Sequence, residues 1–390
     1  MPEPRHPTGR DKYRVAIICA LPRESDAMDL LFDHIWDQDG GPDLYGPVTG
    51  GNNVYTYGRI RHVNIVLATL PRIGTVSAAV SSAAIRSDFP SLVTGFVVGI
   101  YGGVPIIQGR DAFLGDVVVS SSIVRYDYGK QYDGRFSINK TPKTRFDEHQ
   151  KQTNILKRAA VHLNSLQAAA KDLKRRTSYD TPEADTDRLF SAEYTHKHRA
   201  GCAECNMGET SFDIAVLSRC DDIGCDPAFI SRPSRTWQGP SLFVRRIGSG
   251  NTVMKSAQDR DRLAKQEEII AFEMESAGAW EELPCLIVKG ICDCSDSHKN
   301  KDWQDFASAT AASVARALIE RMAMGSSQGL LEGPTSGNDW GNNFGHGANF
   351  NTGTIFGNGS WTSGKREIPV GYSVSRDFIW LLVLALGANM

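Results

Sequence analysis

The sequence predicts an α/β fold: a three-layer sandwich in which helices flank a central, mostly parallel twisted sheet. Two runs, "VNIVLATL" at 63–70 and "LVTGFVVGIYGGVP" at 92–105, are mostly apolar without alternation, which is typical of strands buried on both faces. A segment rich in small residues, "TVSAAVSSAAI" at 75–85, separates them and favours a helix, so the strands are predicted to run parallel. The 390 residues, 41% of them hydrophobic, suffice for one large domain of this class or two ordinary ones.

Four strands are predicted in the first third of the chain. The first, "YRVAIICAL" at 13–21, ends at Pro22 and leads into "RESDAMDLLFDHI", whose apolar spacing suits a helix. The second is the run at 63–70, which turns at "PRIG" into the helix at 75–85. The third, at 92–105, meets a glycine turn, and the fourth is "GDVVVSSSIVRYDY" at 115–128.

The stretch from about 138 to 235 interrupts this pattern. It is polar, carries one predicted helix, "TNILKRAAVHLNSLQAAAKDLKRR", and then loses periodicity, so we interpret it as an insertion. The sheet resumes with "SLFVRRIGSG" at 241–250 and "PCLIVKGICD" at 284–293, and "WQDFASATAASVARALIERM" is predicted to close the domain as an amphipathic helix. One domain is therefore predicted over 12–322.

Residues 323–390 differ in composition from the rest. "GNDWGNNFGHGANFNTGTIFGNGSW" at 337–361 consists largely of Gly, Asn and Thr with aromatic residues at intervals, which is typical of disorder or of β self-assembly. The apolar run "FIWLLVLALGANM" at 378–390 is shorter than a membrane span, and a buried segment, a sticky tail and a gene-model artefact all remain open. We predict a low-complexity, disordered tail.

Charge and the N-terminal segment exclude several classes of partner. The formal net charge of -2 and the pI near 6.5 give no electrostatic reason to expect nucleic acid or an anionic membrane. The segment "MPEPRHPTGRDKYR" lacks the apolar core of a secretory signal, which predicts a cytoplasmic protein. A small neutral or anionic ligand held by local groups remains open.

Eight cysteines in a cytoplasmic chain are expected to be free thiols. Cys202 and Cys205 have C-x2-C spacing, and Cys220 and Cys225 follow with the looser C-x4-C spacing. His196 and His198 add candidate zinc ligands without fixing a set. Reduced thiols on an inserted loop are the simpler interpretation, and no metal is expected.

Two glutamates, Glu273 and Glu275, interrupt the apolar, helix-favouring run "IIAFEMESAGAW" at 269–280. Glu275 is expected to open a helix, and Asp293 lies at the end of the next strand. In open parallel sheets, ligands bind beyond the carboxyl ends of the strands, so these side chains are expected to share a cleft. The carboxylates of Glu275 and Asp293 in such a cleft would suit recognition of sugar hydroxyls and proton donation. Both contribute to breaking a glycosidic bond.

An ordered set of segments resembles the nucleoside phosphorylase and nucleosidase superfamily over about residues 12–322. The resemblance is greatest to fungal members that are similar to methylthioadenosine nucleosidases and occur as N-terminal domains of immune receptor-like proteins. The segments are "VAIICALPRESDAM", "LPRIGTVSAA", "VGIYGGVP", "LGDVVVS", "YDYGK", "GSGNTVMKSAQDRDRLA", "FEMESAG" and "KGICDCSDSHKNKDWQDFASATAASVA".

The resemblance implies roles for individual residues. Glu275 would accept hydrogen bonds from the ribose hydroxyls while Met274 packs under the sugar, and Asp293 would protonate or hydrogen-bond N7 of a purine. Gly102 and Gly103 would let the main chain approach the ligand closely. Further predicted site residues are Glu24 as the catalytic partner of Asp293, Val253 and Met254 along the purine, and Glu273, Arg72 and Arg23 in substrate binding.

The turn after the first strand bears on whether water or phosphate attacks the sugar. Phosphorylases of this superfamily carry a glycine and an arginine there, whereas this chain has Ala20 and Glu24 in "ALPRES". A carboxylate repels phosphate but can orient and deprotonate water, so hydrolysis is favoured. Arg23 is the complication, because a small shift of the turn would restore an anion site. A phosphorolytic enzyme and a non-catalytic signalling or binding module remain alternatives.

The resemblance also implies the class of ligand. Members of the immune type are associated with cleavage of adenine nucleotides, so ATP is the preferred substrate, ahead of methylthioadenosine-like or plain nucleosides. Arg23, Arg72, Arg125 and Lys130 are candidates for contacts with its phosphates. Tyr101 replaces a small residue of the glycine turn and would cover the ligand or narrow the pocket. No cofactor is expected, phosphate would serve only as a co-substrate of a phosphorylase, and a homo-oligomer is expected.

Overall fold

The computed structural model describes residues 6–36, 45–46, 53–139, 152–175, 177–198, 218–232, 235, 239–299 and 301–325. The residues Met1–Met324 form the first of two units into which the chain divides. The Gly- and Asn-rich segment and the apolar run at 378–390 lie outside the described residues, so the interpretation of 323–390 as a disordered tail stays a prediction. Among the described helices, none has the length and hydropathy that crossing a membrane requires.

A sheet of nine strands forms the centre of the first unit, in the order β12-β11-β8-β13-β5-β1-β4-β3-β2. Two hairpins, β6–β7 and β9–β10, lie outside it. The strands are β1 Val15–Cys19, β2 His34–Ile35, β3 Val54–Ile60, β4 Val63–Thr69, β5 Thr94–Gly103, β6 Ile106–Ile107, β7 Arg110–Asp111, β8 Val117–Arg125, β9 Gly129–Tyr132, β10 Arg135–Ile138, β11 Leu242–Ser249, β12 Ile269–Glu273 and β13 Cys285–Asp293.

Helices flank this sheet. In the described part of the chain they are α1 Pro22–Asp29, α2 Thr75–Asp88, α3 Gln152–Asp172, α4 Ala257–Glu267, α5 Ser276–Glu282 and α6 Gln304–Gly325, with short 3-10 helices at Arg10–Lys12, Ala184–Thr186 and Pro227–Phe229. Helices α2 and α5 approach closely at Gly278, where a Cβ would lie 1.9 Å from the Thr75 carbonyl oxygen. A glycine is therefore required at this crossing.

Most of the central pairings are parallel, and the predicted fold class is confirmed. Strand β1 lies between β4 and β5, and β13 pairs with β5, all in parallel. Every residue of β1 and of β13 is buried, which explains why their sequences are apolar without alternation. The antiparallel exceptions include β3 with β4 and the contact of β12 with the end of β5.

The helix-favouring interpretation of the whole run at 269–280 is wrong. Residues 269–273 form the fully buried strand β12, which pairs with β11 and β5, and only the part from Ser276 onward is helical. Consecutive isoleucines favour a strand where the sheet offers two partners, and this tertiary pairing overrides the local helical preference.

The described parts of the predicted insertion contact the rest of the domain, and His162 of α3 lies 3.0 Å from Glu320 of α6. Helix α3 buries Ile155, Leu163 and Leu166 on one face. A buried ion pair joins Arg232 to Asp187 at 2.6 Å, and the same arginine donates a hydrogen bond to the Ala112 carbonyl. These contacts tie the segment to the chain just before β8.

Candidate active site

A buried lysine, Lys289, lies between carboxylates in the middle of the sheet. Its Nζ is 3.4 Å from Oε2 of Glu275, and its side chain is 3% exposed. Burial alone lowers the pKa of Lys289, but the charges of Glu275, Glu24 and Glu273 outweigh this effect and raise the pKa above its ordinary value. Lys289 is thus a fixed positive charge among three acidic side chains.

Glu24 is held by main-chain N–H groups from two strand ends. Its Oε2 accepts hydrogen bonds from Ala20 and Leu21, at 2.8 and 2.9 Å, and its Oε1 accepts one from Ile100 at 2.8 Å. A Cβ at Gly99 would lie 2.1 Å from Oε1, so the glycine leaves the space that the carboxylate fills. Burial raises the pKa of Glu24, and Lys289 opposes this increase.

The two predicted glutamates lie at the end of β12 and in the turn that follows it, and they make different contacts. Glu273 accepts hydrogen bonds from the main-chain N–H groups of Glu275 and Ser276, at 3.0 and 2.9 Å, and so satisfies the start of α5. Glu275 accepts a hydrogen bond from the Gly74 N–H at 3.3 Å and contacts Lys289. Met274 is half-buried between them. Glu273 therefore stabilises the turn, whereas Glu275 contacts the buried charge of Lys289.

Asp293 ends β13 and is held by its own loop. Its Oδ1 accepts a hydrogen bond from the Ser295 N–H at 2.9 Å and lies 3.0 Å from Lys299 Nζ. The charge of Asp293 raises the pKa of Lys299, although burial, the largest effect, acts in the opposite direction. Ser295 has a φ of 52°, in the left-handed region, which turns the loop back over the carboxylate.

The two glycines at the end of β5 meet different neighbours. A Cβ at Gly102 would lie 2.2 Å from Ser295 Oγ and 2.7 Å from Asp293 Oδ1, so its absence lets the acidic loop approach the main chain. A Cβ at Gly103 would meet the Ile291 side chain at 2.8 Å, so this glycine serves packing between β5 and β13.

The register of the sheet brings the two predicted site segments together. Gly102 is the register partner of Phe272 in β12 and of Asp293 in β13. The turn with Met274 and Glu275 and the loop that begins at Asp293 therefore flank the same residue of β5. This juxtaposition supports the expectation of a shared cleft at the carboxyl end of the sheet.

The residues predicted to line the purine have different exposures. Met254 is buried in a cluster with Val104, Tyr126 and Phe272, whereas Val253 is 47% exposed. The Tyr126 hydroxyl donates a hydrogen bond to the Thr252 carbonyl at 2.7 Å and anchors this loop.

Two of the four basic residues that were predicted to contact phosphate form ion pairs with acidic side chains. Arg23 forms an ion pair with Asp305, and Arg125 pairs with Glu281 at 2.9 Å. Arg72 and Lys130 lie on the exposed surface.

Tyr101 is directed into the protein interior. It is 3% exposed, and its hydroxyl is buried with no hydrogen-bond partner among the described residues. Burial, and then the charge of Asp116, raises the pKa of this phenol. Its side chain therefore packs within the domain, and the predicted effect of Tyr101 on the ligand stays a prediction.

The cavities in the described part of the chain include a small one and a large one. One, of about 70 Å³, adjoins Asp293 and is also lined by Arg188, Arg219 and His298. The other, of about 910 Å³, is lined by residues of the β5–β6 turn, β8, β11 and α4, and its lining includes none of the predicted site residues. Of the predicted site residues, Asp293 alone lines the smaller cavity, and Glu24, Met274 and Glu275 line neither of the two.

Lys289 and Lys299 were not among the predicted site residues. A lysine within the otherwise apolar run "PCLIVKGICD" was the available signal for the first, since a buried charge requires a partner. The signal for Lys299 was weaker, because a polar loop after a strand commonly contains lysine.

Comparisons with known proteins found a related sequence and several solved structures of low sequence identity. The chain is 33% identical over 322 residues to a nucleotide-binding leucine-rich repeat (NLR)-like protein of Hyaloscypha variabilis, with 79% of this chain and 29% of that protein covered. The chain thus spans under a third of the length of this relative. No family model matches the chain.

Solved structures with a similar arrangement include two bacterial enzymes. A 5'-methylthioadenosine/S-adenosylhomocysteine nucleosidase of Neisseria meningitidis is 18% identical, with a TM-score of 0.46 over 79% of this chain and 98% of that chain. A futalosine hydrolase of Helicobacter pylori is 14% identical, with a TM-score of 0.45 over 79% and 98%. Both TM-scores are too low for an activity to be carried over.

Proposed function

We propose that this protein hydrolyses the N-glycosidic bond of a purine nucleoside or nucleotide and releases the free base. The observation that carries the proposal is the position of Gly102 between two acidic segments, the turn with Glu275 and the loop with Asp293. Acidic side chains on both sides of a glycine-lined strand end provide contacts for a sugar and for a base at the same place.

Each acidic side chain has a role in this reaction. Glu275 accepts hydrogen bonds from the ribose hydroxyls, with Met274 packed under the sugar. Asp293 shares a proton with N7, so that the purine departs neutral while the sugar develops positive charge. Lys299, 3.0 Å from Asp293, positions this carboxylate. The buried charge of Lys289 holds Glu275 in place.

The contacts of Glu24 favour water over phosphate as the attacking group. Main-chain N–H groups in such a turn are the donors that would bind a phosphate anion. Here two of them, from Ala20 and Leu21, already donate to the Glu24 carboxylate, which also accepts a hydrogen bond from Ile100 of β5. Arg23, whose guanidinium would have restored an anion site, is paired with Asp305. A carboxylate in this position repels phosphate and is suited to orient and deprotonate water.

The finer substrate assignment is to ATP, with adenosine and methylthioadenosine-like nucleosides behind it. The resemblance to fungal immune-type members and the NLR-like relative support a role at the N-terminus of a receptor-like protein. Arg72 and Lys130 are the exposed cations that remain for the phosphates, because Arg23 and Arg125 form ion pairs. The protein is proposed to act in the cytoplasm as a homo-oligomer.

Released base is the direct test. The purified chain is incubated with ATP, adenosine, methylthioadenosine and the corresponding guanine compounds, with and without inorganic phosphate. We expect adenine release without phosphate, with ribose or ribose triphosphate as the other product. Release that strictly requires phosphate, with a ribose 1-phosphate product, would establish phosphorolysis instead. No release from any compound would favour the non-catalytic module.

A single substitution tests the role of Asp293. Asp293→Asn should lower the rate by roughly 100-fold to 10,000-fold, the range typical of a lost general acid. Asp111→Asn, an exposed carboxylate in β7, is the matched control and should retain full activity. Circular dichroism of both variants checks that they are folded. Unchanged turnover in folded Asp293→Asn protein contradicts the assignment.

A further inference from the structure

Two thiols and two imidazoles meet beside the candidate active site. The ligand atoms of His196, Cys225 and His298 all lie within 4.8 Å of one another. Cys225 Sγ is 3.3 Å from His196 Nδ1, and Cys220 Sγ is 3.7 Å from the same nitrogen. In a tetrahedral zinc site with bonds of about 2.0–2.3 Å, neighbouring ligand atoms are about 3.3–3.8 Å apart. The two sulfur–nitrogen distances are within this range.

The ring of His196 is oriented for metal binding by a second contact. Its Nε2 lies 3.0 Å from the Ser218 carbonyl oxygen, which can only accept a hydrogen bond. The proton is therefore on Nε2, and the lone pair of Nδ1 faces the two sulfur atoms. Zinc-binding histidines commonly have such an arrangement, in which the second ring nitrogen donates to a carbonyl or carboxylate.

His298 is fixed by stacking. Its ring lies parallel to that of Phe190, with centroids 4.2 Å apart, and is edge-on to His196 at 5.1 Å. Its Nε2 is buried without a hydrogen-bond partner among the described residues, although the ring lies close to Cys225. A buried imidazole nitrogen without a partner is costly in a dry site, and a metal ion would satisfy it.

The four side chains come from separate parts of the sequence. Cys220 and Cys225 belong to one turn, which is closed by a hydrogen bond from the Cys225 N–H to the Cys220 carbonyl at 2.9 Å. His196 lies upstream in the predicted insertion, and its N–H donates to Ser297 Oγ at 3.0 Å. His298 follows in the loop that begins at Asp293. The cluster thus joins the insertion to the loop of the candidate acid.

We propose that His196, Cys220, Cys225 and His298 bind one structural Zn²⁺ that holds this insertion against the loop after β13. Two thiolates neutralise the ion, and binding releases the two thiol protons to solvent. Four protein ligands leave no open position, which is the pattern of structural rather than catalytic zinc. The sequence alone favoured free thiols, because the C-x4-C spacing is loose and His196 and His198 fixed no ligand set. Cys202 and Cys205 are outside the described residues.

Metal analysis of the full chain tests the proposal without reference to activity. Protein purified without added metal should contain about one zinc per chain. Cys225→Ser and His298→Gln should each lose most of this zinc. The matched controls are Cys285→Ser, a buried thiol in β13, and His62→Gln, an exposed histidine between β3 and β4. Both controls should retain the full amount.

A second readout covers the case in which a variant is insoluble. The wild-type chain is stripped of metal with a chelator and titrated with Co²⁺, whose absorption spectrum distinguishes tetrahedral thiolate ligands from water. We expect saturation at about one Co²⁺ per chain, a thiolate-to-cobalt absorption band and a higher melting temperature. Absence of stoichiometric zinc together with no tetrahedral cobalt spectrum would overturn the proposal. Full zinc content in both Cys225→Ser and His298→Gln would overturn the ligand assignment.

Discussion

Replacement of Lys289 by methionine removes the one positive charge among the buried carboxylates Glu24, Glu273 and Glu275. The Nζ–Oε2 distance to Glu275 is 3.4 Å, which corresponds to an attraction of about 5 kcal/mol at an effective dielectric constant of about 20. Breaking a buried pair by removing one partner typically costs about 3–5 kcal/mol, because a charge is left unpaired. We expect Lys289→Met to destabilise the fold by this amount near neutral pH.

This free energy corresponds to a measurable change in melting temperature. An unfolding entropy of about 2.1 cal/mol/K per residue over the unit Met1–Met324 gives about 0.7 kcal/mol/K, so Tm should fall by roughly 4–7 °C. The exposed Lys157 on α3 gives the control substitution Lys157→Met, which should change the stability by less than about 0.5 kcal/mol. Thermal denaturation followed by circular dichroism measures both.

The loss of stability caused by Lys289→Met should be smaller at low pH than at high pH. Burial raises the pKa of Glu24 and of Glu273 in the folded protein, while Lys289 lowers both. A carboxyl with a raised folded pKa stabilises the fold below its unfolded pKa and loses that contribution as pH rises through the folded pKa. Without Lys289 these pKa values rise further. The Tm difference between wild type and variant should therefore be smaller at about pH 5 than at about pH 8.

A double variant isolates the charge from the packing. Glu275→Gln retains an oxygen for the Gly74 N–H and removes the negative charge nearest Lys289. Lys289→Met combined with Glu275→Gln should therefore recover about half of the lost stability, because a neutral pair replaces an unpaired ion. A Tm loss in Lys289→Met no larger than in Lys157→Met, or a double variant as unstable as Lys289→Met, would refute the reasoning.

Three other substitutions or deletions have expected outcomes. Gly99→Ala places a Cβ 2.1 Å from the Glu24 carboxylate, so we expect a loss of about 1–3 kcal/mol in melts and more than about tenfold slower base release. Arg232→Met leaves Asp187 buried and unpaired; it should cost about 3–5 kcal/mol, and less at low pH, because burial already raises the pKa of Asp187. Truncation after residue 325 should leave base release within about twofold and abolish any thioflavin-positive assembly.

The strands at the centre of the sheet could be predicted because their environment is uniform. β1, β5 and β13 are buried on both faces, and an apolar run without alternation has few other interpretations. β3 was not predicted, since its "VYTYGRI" lies next to the edge strand β2, has mixed exposure and carries a weaker signal. β12 was assigned a helical preference because its strand character depends on partners that are distant in sequence.

The acidic residues of the candidate site could be predicted from the sequence, but the residues that contact them could not. Glu24, Glu275 and Asp293 follow from short motifs in the chain, whereas Lys289, Lys299 and His298 join them only through the tertiary fold. The Glu275 carboxylate, for example, contacts the Gly74 N–H across 201 positions of sequence. Local sequence patterns contain no information about contacts between residues so far apart. The acidic residues could therefore be identified from the sequence, whereas the basic residues and main-chain donors that pair with them could not.

Strand β13 lies in the middle of the sheet, between β8 and β5, although it is the last of the described strands to leave the ribosome. A nascent chain that ends before Cys285 would therefore lack the strand between β8 and β5, and its Glu24 would have no Lys289 beside it. Non-local pairing of this kind is slow and leaves edges open to intermolecular association. Synthesis of the segment from Cys285 to Asp293 supplies the missing strand, the neutralising lysine and the candidate acid together, so closure of the sheet and assembly of the site coincide.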